Sequence, residues 1–117
     1  MTIRLANVRT VQAEAGETLV YVGRGRAPGG MEHAHLGNPF RVGSGYGRGE
    51  AAAAYLPYLR HKCREQGREY AMVTGLAKRL AAGEHLVICC WCAPQACHGE
   101  HVITAVKAYA RQYGWTG

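Results

Sequence analysis

The pattern of apolar and polar positions changes period several times along the chain. EHLVICCW (84–91) is apolar without alternation, as expected of a strand buried on both faces. IRLANV (3–8) and ETLVYVGRG (17–25) carry the branched, alternating residues of short strands, and glycines stop the second. Elsewhere the period is helical. In GEAAAAYLPYLRHKCREQG (49–67), Tyr55, Leu59 and Cys63 recur on one face, and Pro57 predicts a kink or a break. REYAMVTGLAKRLAAG (68–83) has an apolar stripe of Val73, Leu76, Ala77 and Leu80 before the stop at Gly83. In GEHVITAVKAYARQYG (99–114), Val102, Val106, Tyr109 and Tyr113 define an inward face.

Residues 23–49 hold nine of the sixteen glycines together with Pro28 and Pro39. They predict an ordered loop or a mobile lid, interrupted at most by a short strand near PFRV. Strand, Gly-rich loop, two helices, buried strand and helix, in that order, predict an α/β domain of Rossmann-like type. Its sheet is mostly parallel with flanking helices, and residues 1–117 form one domain. Ligands of such sheets bind beyond the carboxyl ends of the strands. Two segments leave strands there, GRGRAPGG (23–30) and CWCAPQACHG (90–99). If their strands are neighbours, both face one cleft.

Charge narrows the partners. Fourteen Lys and Arg against eight acids give +6, and eleven of the fourteen are Arg, whose planar fork suits phosphate or carboxylate. The expected partner is therefore an anionic small molecule of nucleotide-like character, with nucleic acid as a rival. All eight acids are Glu, which excludes an Asp-rich magnesium or calcium cage and disfavours two-metal phosphoryl chemistry. No stretch approaches the ~18 apolar residues that span a bilayer, and MTIRLANVRT lacks an apolar export core, so a cytoplasmic protein with no membrane partner is expected. In a reducing compartment the five cysteines read as thiols, ligands or catalysts rather than a disulfide framework. Cys63 reads as helix packing.

CCWCAPQACHG (89–99) gathers four of those cysteines with His98. A zinc site would need four ligands, and Cys92 and Cys97 with His33 and His35 from the Gly-rich loop are the set available. A catalytic site would use position instead: Cys97 and His98 start the last helix, where free N–H groups stabilise a thiolate or a bound anion. His98 would then move a proton. Cys89 and Cys90, within LVICCW, read as core, whereas Cys92, Cys97 and His98 read as a site. Across the cleft, Gly23 would let backbone N–H groups approach an anion and Arg24 would add charge. In LGNPF (36–40), Gly37 is permissive, Asn38 would read a base or carbonyl edge, and Phe40 would pack beneath; the rival reading is a turn whose Asn bonds its own backbone.

VYVGRG, LGNPF, GEAAAAYLPYL and LVICCWCAPQACHGEHV, taken in order, resemble the signature of the small bacterial and phage family known as domain of unknown function 4326. The likeness covers about residues 19–105, and RAPGGMEHAH is longer than the linker expected between its motifs. The resemblance implies that Gly37, Asn38, Pro39, Phe40, Cys90, Trp91, Cys92, Pro94, Cys97, His98 and Gly99 belong to the family pattern, and it carries no activity. The leading expectation joins these readings. A nucleotide or phosphorylated nucleoside-like ligand sits between Gly23, Arg24, Gly37, Asn38 and Gly99, with Cys97, His98 and Cys92 supplying chemistry. Two rivals remain: a non-catalytic, zinc-stabilised accessory protein, and a nucleic-acid-binding module stacking bases on Trp91, Tyr46 and Trp115.

Overall fold

A computed structural model describes residues 2–93 and 95–117, with Arg48 described by its backbone alone. Four strands, β1 (Ile3–Asn7), β2 (Glu17–Tyr21), β3 (Glu32–His33) and β4 (His85–Cys90), form one parallel sheet in the order β1-β4-β2-β3. Three helices, α1 (Arg48–Glu65), α2 (Arg68–Ala81) and α3 (His98–Gln112), complete the expected α/β architecture. β4 lies between β1 and β2, and Leu86, Val87, Ile88 and Cys89 are wholly buried. Its unbroken apolar run follows from that central place.

Side chains alternate across the sheet, so each face has its own chemistry. Val20, Leu86, Ile88 and Cys90 join one core with Tyr55 and Leu59 of α1, Val73 and Leu80 of α2, and Val102 and Val106 of α3. On the other face Arg4 clamps Glu17 with two hydrogen bonds of 2.9 and 2.8 Å, beside buried Val87, Cys89 and Tyr21. That bidentate clamp holds the Glu17 carboxyl down to about 2.

Several expectations are corrected. α1 runs unbroken through Pro57; Pro57 and Ala53, whose carbonyl loses its helical donor there, both face solvent, so water can serve that carbonyl. No strand forms at PFRV, where the backbone makes only an isolated bridge between Val42 and Tyr46. The short strand is instead β3, pinned as Ala34 N–H donates to Tyr21 O at 2.9 Å and braced by the Arg79–Glu32 ion pair. Tyr113 is exposed rather than inward, because the apolar stripe of α3 follows Val102, Val106 and Ala110 and the helix ends at Gln112. Trp115 turns back into the core, with Arg111 over its ring at 5.4 Å, and does not offer an open stacking surface. Among the described residues no helix is long and apolar enough to cross a membrane.

Candidate functional site

β2 and β4 are hydrogen-bonded neighbours, and Val22 N–H extends the ladder to Cys89 O at 3.0 Å. Their carboxyl ends therefore open side by side, onto a cavity of about 310 Å³. Gly23 and Arg24 enter it from β2, and Cys90, Trp91, Cys92, Cys97 and His98 from β4 and the start of α3. Asn38, Phe40 and Val42 close the third side. Gly23 is required by crowding, since a Cβ there would lie 2.5 Å from Tyr21 Cζ. The Tyr21 hydroxyl donates to Arg24 O at 2.5 Å and accepts from Trp91 Nε1 at 2.9 Å, joining the two exits. Trp91, nearly half exposed, carries Arg9 over its ring at 5.4 Å.

The floor of the cavity is sulfur and imidazole. Cys90 Sγ accepts from the Cys97 thiol with the two sulfurs 2.7 Å apart. That bond, helped by N–H groups of Ala93 and Cys92, pulls the Cys90 thiol below the ordinary thiol range against the opposing effect of burial. Cys97, as the donor and itself buried, is pushed up. Cys90 is thereby the more acidic of the two sulfurs. Cys97 is the extended N-cap of α3, and its sulfur also receives Gly99 N–H at 3.4 Å. His98 Nε2 lies 2.7 Å from Val22 O; a carbonyl can only accept, so Nε2 carries the proton and Nδ1 is left as an acceptor, 3.9 Å from Cys97 Sγ. Burial against the edge of Tyr55, with Arg24 and His101 adding repulsion, lowers the His98 pKa and keeps the ring neutral at pH 7.

The family model for "Domain of unknown function (DUF4326)" matches residues 6–108. The chain belongs to that family. Every residue lining the cavity falls within the match, so the site is built from the DUF4326 domain itself. Neither the curated proteins nor the solved structures contain a significant match to the chain.

Six of the residues predicted from sequence meet in this cavity: Gly23, Arg24, Asn38, Cys92, Cys97 and His98. Asn38 is engaged by the fold, its Nδ2 donating to Ala51 O at 2.9 Å and its Oδ1 accepting from Phe40 N–H at 3.0 Å. Its carbonyl in turn receives Arg24 Nη1 at 2.8 Å, so it positions the cation rather than reading a base with a free amide edge. Gly37 lines an adjoining hollow instead; a Cβ there would lie 2.9 Å from Arg24 Cγ. Gly99 packs against the sheet, where a Cβ would lie 2.7 Å from Leu5 Cδ1. Both glycines serve close packing.

The proposed zinc ligands are not brought together. His33 and His35 stack at 4.2 Å in the adjoining hollow, with His33 Nε2 donating to Gly25 O at 2.6 Å, while Cys92 and Cys97 line the main cavity. Among the described residues no three His, Cys or Glu side chains are grouped to hold a metal ion. Pro94 lies outside the described residues. Cys90 is core, as expected from sequence, and it is also cavity floor, a role that sequence reasoning did not assign. Tyr21 and Tyr55 were missed as supports; Tyr55, which braces His98, donates to Leu36 O at 2.7 Å.

Proposed function

We propose that the domain binds an anionic nucleotide or phosphorylated nucleoside-like ligand in this cavity and presents it to a thiolate and a neutral imidazole. The observation that carries this reading is the convergence of a cation, an aromatic wall and reactive sulfur in one hollow. Arg24 spends one guanidinium donor on Asn38 O, which leaves others for a phosphate. Trp91, Phe40 and Val42 give the cavity apolar lining against which a base would pack. A volume near 310 Å³ stands at the low end of ligand pockets, about 300–1,000 Å³, and suits a mononucleotide better than a dinucleotide. Cys90, Cys97 and His98 lie below, where nucleophilic attack and proton transfer would occur.

Isothermal titration of the wild-type chain with nucleoside mono- and diphosphates, against nucleosides and inorganic phosphate, tests the reading. Nucleotides bind, and Arg24→Ala weakens them at least about tenfold, as expected for loss of a charge-assisted contact. Binding of no nucleotide, or equal binding by Arg24→Ala, refutes it.

A further inference from the structure

We propose that Cys90 and Cys97 form a reversible disulfide, Cys90 being the sulfur that reacts with a small hydroperoxide and Cys97 the thiol that resolves it. Both are free cysteines in this structure and line a cavity large enough to admit hydrogen peroxide. Their sulfurs, 2.7 Å apart, need only a sub-ångström approach to reach the ~2.05 Å of a disulfide. Cys97 is an N-cap in extended backbone, and apart from Cys90 its sulfur is held by the contact from Gly99 N–H and a longer one to His98 Nδ1. Cys89 differs in every respect: it points to the opposite face of the sheet, and burial raises its thiol to about 11. A low-pKa thiolate beside a resolving thiol is the arrangement that oxidises reversibly.

The chemistry balances. Cys90 sulfur attacks a peroxide oxygen, the O–O bond breaks, and hydroxide leaves to take a proton from solvent, giving a sulfenic acid. Cys97 passes its proton to His98 Nδ1 and attacks Cys90 sulfur. The S–S bond forms, the S–O bond breaks, and the departing hydroxide takes the proton from His98. Two thiols lose two electrons and one peroxide becomes two waters.

The test treats the reduced full chain with one equivalent of hydrogen peroxide, followed by mass spectrometry; chymotryptic cleavage after Trp91 separates Cys90 from Cys97. The expected result is a linked Cys90–Cys97 peptide pair, two hydrogens lighter and reopened by dithiothreitol. In Cys97→Ser, a dimedone adduct forms on Cys90; Cys92→Ser oxidises like wild type. Linkage through Cys92 or Cys89, or wild-type peptide left unlinked while Cys92 oxidises, overturns the proposal. The wild-type map decides the matter even if a variant does not fold. Because no nucleotide takes part, this result and the nucleotide titration fail independently.

Discussion

Gly23→Ala probes the junction between the two strand exits. A Cβ at this position would lie 2.5 Å from Tyr21 Cζ and 2.7 Å from Tyr21 Cε1, and closest of all to the hydroxyl. The Tyr21 ring is almost completely buried and tied at its hydroxyl to Arg24 O and Trp91 Nε1, so it cannot yield without losing both bonds. Overpacking costs about 1–3 kcal/mol and each lost hydrogen bond about 1 kcal/mol, roughly 3–5 kcal/mol together. For a domain of this size that lowers Tm by on the order of 10–20 °C. Thermal unfolding followed by circular dichroism measures it, with Gly29→Ala as control, because a Cβ at Gly29 meets nothing within 4 Å. On a Tyr21→Ala background the ring is gone, and Gly23→Ala should then cost less than about 1 kcal/mol more. A Tm for Gly23→Ala within a few degrees of the control, or strict additivity in the double variant, would refute the steric argument.

Two further outcomes are expected. Pro57→Ala should raise Tm, by up to ~3 kcal/mol of stability, since proline occupies an exposed helix interior with nothing packed on it that requires its ring; an unchanged or lower Tm would mean that the unfolded-state entropy held by proline matters more. His98 has a folded pKa below its ordinary 6.5, so the unfolded chain binds the proton first: its contribution is complete above pH 6.5 and is lost as pH falls below that value. His98→Asn, which does not titrate there, should show a shallower fall in Tm between pH 6.5 and 5, and an equally steep fall would place the acid sensitivity elsewhere.

The parallel α/β plan was legible because its determinants are local or periodic. An unbroken LVICC run demands apolar surroundings on both faces, and only a central strand of a parallel sheet supplies them. β3 was not legible: two polar residues, Glu32 and His33, pair through backbone and carry no side-chain signal. Trp115 was misread as exposed because nothing in the sequence says that the chain doubles back after Gly114, whose φ of +99° turns it towards the core. At the site, the shared cavity followed from strand adjacency alone, whereas the use made of Asn38 depended on α1 presenting the Ala51 carbonyl to it. His33 and His35 fit a ligand spacing on paper, but β3 pairing and the Gly25 carbonyl hold them in the neighbouring hollow.

Cys90 shows why burial and function were hard to separate in this chain. Strand alternation assigns Cys89 and Cys90 to opposite faces, but it cannot say which of them the chain will revisit. β4 ends with Cys90 on the helix-bearing face, where the core stops and the cavity begins. The turn then returns Cys97 to that same point, and α3 starts there because Cys97 caps it. How close the second sulfur comes depends on how closely α3 seats on the sheet. Gly99 stands at that seat: a Cβ there would lie 2.7 Å from Leu5 Cδ1, so any side chain requires either the Leu5 side chain or the helix start to shift. Read this way, the Cys-His-Gly ending is one device. The glycine permits close packing of the helix start on the sheet, the cysteine meets its partner there, and the histidine, held by Val22 O, stands beside Cys97.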